Sequence, residues 1–237
     1  MGSHGHLHDQ RETLALMHGD DADIEFLVDS KNRFEDFFGF SPRSYRAAYW
    51  GGLSNRAVSL LDRLGYLVDA SATPQRLGIL SSFPRENPYL TVPRAPYHLK
   101  GGLIEIPTSC FLIPLAIPTF RTLRYHLSVA FMSLFKMEAL VNPGIILNLQ
   151  FHASDFVFEG VESHGPERHF RDLFPSTPGG IKAKAWIRMW DRKEITGMTL
   201  RLLGHLRHSR FRALSEHYSS VIGKIPVFEK RGLVILR

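Results

Sequence analysis

The chain has 237 residues, 44% apolar and 22% charged, the balance of a soluble globular protein large enough for one α/β core. A lone cysteine, Cys110, excludes an internal disulfide framework, and the composition excludes disordered, collagenous and coiled-coil classes. The net charge of +6 is uneven, with 15 Lys/Arg against 6 Asp/Glu in residues 164–237 and 14 against 17 elsewhere.

That basic C-terminal part could meet an anionic polymer or lipid, but a solvated helical surface is the commoner reason for such a run, and no nucleic-acid partner is expected. Met1-Gly2-Ser3-His4 opens the chain without a basic or apolar leader. The longest apolar run, Cys110 to Phe120, is too short to span a bilayer and contains Pro114 and Pro118. A cytoplasmic protein without a transmembrane segment is therefore expected.

In chain order, the first forty residues predict a turn and then a helix. Asp21 or Asp23 would cap it, Ile24, Leu27, Val28, Phe34, Phe37 and Phe38 approximate helical spacing, and Gly39 would stop it. Ser44 to Ala48 reads as a short extended piece. Ser54 can cap a helix to Leu64 whose stripe is Val58, Leu60, Leu61 and Leu64. Tyr66 to Ala70 predicts a strand, 71–102 a long proline-rich loop, and Leu103 to Pro107 another strand. Leu123 to Leu140 predicts a helix, Gly144 to His152 the best strand, and Thr199 to His217 a closing helix. Short strands alternating with helices argue for an α/β barrel or open sheet in a single domain, residues 1–237.

Four stretches could carry chemistry. His4 and His8, four apart, would share one face of a helical turn and could bind one metal ion, although a Met-Gly-Ser-His start equally suits a tag remnant or a disordered terminus. In Leu147-Asn148-Leu149-Gln150-Phe151-His152, period-two alternation places Asn148, Gln150 and His152 on one polar face. His152 would thus stand at the tip of a barrel strand, or on an exposed edge strand. Arg46 beside Tyr49, Trp50, Gly51 and Gly52 suits a sugar-binding lip, although ordinary packing of amphipathic aromatics is the commoner reason for such a cluster. Asp69, at the end of its strand, could hold and polarise a histidine or simply form a turn.

Taken in order, these pieces resemble the NodB-homology polysaccharide deacetylases, carbohydrate esterase family four. His4-Gly5-His6-Leu7-His8 is similar to the second motif, His-Ser/Thr-x-x-His, with Gly5 in place of the hydroxyl residue. Arg46-Ala47-Ala48-Tyr49 is similar to the third, Arg-x-Pro-Tyr/Phe, with Ala48 for proline. Asp69 would be the aspartate of the fourth motif, whose tryptophan is absent. Leu147 to His152 is similar to the fifth, Leu-x-Ile-x-x-His, and Ile104-Glu105-Ile106-Pro107 to the strand before it. The first motif, Thr-Phe-Asp-Asp, does not occur, so the chain reads as starting near the second with an upstream segment missing.

The resemblance implies a distorted (β/α)7-type parallel barrel, incomplete at the N-terminus. It implies a metal-dependent hydrolase that removes acetyl groups from N-acetylated sugars of a polysaccharide or glycan precursor. A divalent ion, zinc by ligand type, would be held by His4 and His8. His152, oriented by Asp69, would be the acid, and Arg46, Tyr49 and Trp50 would line the substrate site. A catalytically degenerate domain of the same fold, binding glycans or a partner without turnover, is the alternative. Neither the glycan nor the oligomeric state is specified.

Overall fold

The computed structural model describes residues 2–4, 10–48, 52–74, 92–99, 101–111, 113–142, 144–149 and 192–204. Its elements are β1 (Gly2–Ser3), α1 (Gln10–His18), α2 (Phe26–Phe38), β2 (Ser44–Tyr45), α3 (Asn55–Arg63), β3 (Val68–Asp69), β4 (Tyr97–His98), β5 (Ile104–Glu105), β6 (Cys110–Phe111), β7 (Ile113–Pro114), α4 (Ile117–Val141) and α5 (Arg192–Gly204). This is the expected α/β class. A sheet in the order β1-β2-β3-β5-β4 has β1, β2, β3 and β5 parallel, with β4 antiparallel on its edge. β6 and β7 form a separate antiparallel pair. No helix among the described residues is long and apolar enough to cross a membrane.

Local signals explain most of the first half. Ser54 takes an extended conformation before α3, and its Oγ accepts the Ala57 N–H at 3.2 Å, filling one of the donors a helix start leaves open. Gly39 ends α2 with φ 72°, a left-handed conformation that a side chain would oppose. Gly2 has a different reason. A Cβ there would lie 2.7 Å from the Ser44 carbonyl oxygen, so its hydrogen lets β1 approach β2.

The expectation for the first forty residues needs correction. Two helices form, not one, and the aspartates act between them. Asp20 Oδ1 accepts the N–H groups of Ala22 and Asp23 at 3.0 and 3.1 Å, while Asp23 Oδ2 accepts the Asp20 N–H at 3.0 Å. Their carboxylates close a turn, and α2 begins later without a side-chain cap. Helix α1 escapes periodicity reasoning because its buried residues include Glu12 and Thr13 beside Leu16 and Met17.

The expected strand at 144–152 is also corrected. Residues 145–149 belong to no strand, and residues 150–152 lie outside those described. The Ser109 hydroxyl displaces the ladder: it donates to the Ile146 carbonyl at 2.9 Å and accepts the Asn148 N–H at 2.7 Å. One backbone bond remains, Ser109 N–H to the Asn148 carbonyl at 2.9 Å. The alternation itself survives, with Asn148 buried and Leu147 and Leu149 packed against an apolar cluster. The segment expected as a loop at 71–102 contains β4, which pairs back onto β5. Helix α4 starts earlier than expected, at Ile117, and kinks at Arg124, where φ is 56° and ψ 178°. The Ser128 hydroxyl donates to the Phe120 carbonyl across the kink at 3.3 Å.

Two main cores result. Leu16, Ile24, Leu27, Tyr45, Leu61 and Leu103 join the first three helices to the sheet. Leu115, Phe120, Met132, Phe135, Met198 and Leu202 join α4 to α5. A smaller cluster of Val68, Ile104 and Ile106 meets Ile146.

Candidate functional site

Because β1, β2, β3 and β5 run parallel, their C-terminal ends lie along one edge of the sheet. In register across it stand Ser3, Tyr45, Asp69 and Glu105, and Tyr97 of β4 continues the row. Partners in register share a face of the sheet. All five are buried, which is unusual for a row holding two carboxyls.

Asp69 and Glu105 are neighbours on adjacent strands and hydrogen-bond to each other. The Ser71 hydroxyl donates to Asp69 Oδ1 at 2.5 Å and accepts the Ala47 N–H at 2.8 Å, tying the end of β3 to the chain after β2. Glu105 Oε1 accepts the Ala72 N–H at 3.0 Å. Burial pushes the Asp69 carboxyl up, against its hydrogen bonds from Glu105, Ser71 and Ala70 and the charge of Arg46. Glu105 is pushed up much further, by burial first and by the adjacent Asp69 next. The guanidinium of Arg46 is lowered by burial, an effect that Glu105 and Asp69 oppose.

Arg46 follows β2 and donates to Asn148 Oδ1 at 3.3 Å. The Asn148 amide nitrogen is anchored on the carbonyls of Ile106 and Pro107, at 2.9 and 3.1 Å. This assignment leaves its oxygen for the cation. His4 follows β1, and its Nδ1 lies 2.9 Å from the Arg46 carbonyl oxygen. Since a carbonyl only accepts, Nδ1 carries the proton, and in the neutral ring the lone pair is on Nε2.

Of the residues expected from sequence, His4, Arg46 and Asp69 therefore come to one edge. His8, Tyr49, Trp50 and His152 lie outside the described residues. His4 directly follows β1, and residues 5–9, which carry His8, lie outside the described residues. Among the described residues, no three His, Cys, Asp or Glu side chains gather as a metal set. The partners described for Asp69 are Glu105 and Ser71, not a histidine. Sequence reasoning missed Glu105 and Ser71. The signal for Glu105 was an acidic residue between Ile104 and Ile106, at a position where a buried parallel strand is normally apolar.

No family model matches the chain, and no curated protein matches it either. Among solved structures, that of a candidate polysaccharide deacetylase from Mycobacterium smegmatis is similar, with a TM-score of 0.46 and 17% sequence identity. The match covers 95% of this chain and 64% of that one, so the chain spans less than two thirds of the solved protein's length.

Proposed function

We propose that the chain is a metal-dependent hydrolase of the polysaccharide deacetylase kind, acting on N-acetylated sugars of a polysaccharide or glycan precursor. The observation that carries this reading is convergence. His4, Arg46, Asp69 and Asn148 come from four motif-like stretches spread over 145 positions, and all stand at the C-terminal edge of one parallel sheet. That edge is where parallel α/β folds place their chemistry. The order β1-β2-β3-β5 also supports a barrel, because right-handed crossovers that always step the same way keep their helices on one face.

The metal is part of the proposal and would be zinc, with His4 and His8 among its ligands. His4 fits in one respect, since an Nδ1–H held by a carbonyl fixes the ring and tautomer of a metal-binding imidazole. Such an ion supplies Lewis-acid polarisation of the acetamide and a more acidic bound water. The protein's own groups have separate tasks. Arg46, steadied by Asn148, presents a fixed cation at the rim. Tyr49 and Trp50 would stack on the sugar ring, and His152, oriented by Asp69, would protonate the departing amine.

A second reading is a glycan-binding domain without turnover. It is favoured by the engagement of Asp69 with Glu105 and Ser71, which leaves that carboxylate less available to a histidine. Acetate release from N-acetylated oligosaccharides by the zinc-loaded full chain separates the two. Turnover should fall about 10²–10⁴-fold in His152→Ala, the usual scale of a lost general acid. Unchanged release would remove His152 from the mechanism. Saturable oligosaccharide binding with no acetate released would select the second reading.

A further inference from the structure

We propose that Asp69 and Glu105 work as a one-proton pair, in which neutral Glu105 donates to the Asp69 carboxylate and a single negative charge remains between the two strands. The inference goes beyond the hydrolase reading and does not depend on it.

The geometry leaves little choice. Two carboxyls in register on adjacent parallel strands, each about 2% exposed or less, cannot both ionise without placing two like charges side by side in the interior. Hydrogen bonding between them also needs a proton, because carboxylate oxygens only accept. The donors around the pair decide where that proton resides. Asp69 receives the Ser71 hydroxyl at 2.5 Å and is further lowered by the Ala70 backbone. The one described donor to Glu105 is the Ala72 N–H. The better-solvated anion is therefore Asp69, and the proton stays on Glu105.

The surroundings complete the balance. From β2 come Tyr45 and Arg46, and from β4 comes Tyr97; both tyrosines are kept neutral by burial and by the carboxyls themselves. Glu12 of α1 acts on Tyr45 from the helix side. Arg46 is the cation whose charge acts on both carboxyls. The single anion of the pair is thus opposed by the charge of Arg46, while Glu12 adds a further buried carboxyl on the helix side.

The pH dependence follows in sign. A carboxyl raised in the folded state contributes stability that is full below the ordinary carboxyl value of the unfolded chain and is lost as pH climbs through the raised value. Across that window the native chain holds one more proton than the unfolded chain. Its unfolding constant should thus rise about tenfold per pH unit relative to Glu105→Gln, which copies the neutral form. Infrared spectroscopy of the full chain at neutral pH should show a protonated-carboxyl band that shifts in D2O and is lost in Glu105→Gln. Absence of such a band from the unaltered chain would overturn the proposal, even if the variant fails to fold. So would a band that persists in Glu105→Gln, or a variant with the same pH dependence as the parent.

Discussion

Helix α3 buries Ala57, Val58 and Leu61 and leaves Asn55, Arg56 and Arg63 in water, so a single apolar stripe fixes its rotation against the sheet. Helix α4 behaves differently. It buries Phe120, Met132 and Phe135 in the second core, yet Leu127, Leu134, Met137, Leu140 and Val141 remain exposed. A helix that is apolar on both sides cannot choose its inward face by hydrophobicity alone. Polar ties do it instead. Arg94 grips Glu138 through its two terminal guanidinium nitrogens, Nη1 and Nη2, and Nη2 also donates to the Cys110 carbonyl, joining the chain before β4 to α4 and to β6. The ordered edge that carries the candidate site thus rests on pattern, and the α4 half on a few named hydrogen bonds.

Three substitutions test that contrast. Leu61 is fully buried among Leu27, Tyr45 and Leu103, so Leu61→Ala should cost about 2–5 kcal/mol in urea unfolding, through lost transfer energy and the cavity left behind. Glu138→Ala should cost less, about 1.5–3 kcal/mol by the same measurement, because it strips a charged acceptor from a half-buried Arg94. A cost under 0.5 kcal/mol would show that α4 is held by packing after all. Met137→Gln, at a position 64% exposed, should stay within about 0.5 kcal/mol of the parent. A larger loss there would mean that the outer face of α4 is covered in solution.

The legible parts of the fold were those with a local cause. Ser54 and Gly39 marked helix ends by their own chemistry, and the strands at Ser44, Val68 and Ile104 followed from short extended runs between turn residues. What escaped was non-local. The Ser109 hydroxyl that replaces a strand ladder at Asn148 is 39 residues away from it, and the Arg94–Glu138 tie spans 44. The candidate site divides in the same way. His4, Arg46 and Asp69 could be singled out by type and spacing, while Glu105 gains its meaning only from the register that sets it beside Asp69. No periodicity reports which two carboxyls will become neighbours.

Cys110 opens β6 in the α4 half, buried, with burial pushing its thiol up to about 12. At neutral pH it is therefore an un-ionised, shielded sulfur, and the thiolate is the form that reacts. As the chain has a single cysteine, its modification by a thiol reagent is a clean single-site signal. Attack must wait for this half to open, so the rate of tagging reads the frequency of that opening directly. The molecule carries its own stopwatch for the region whose grip depends on Arg94.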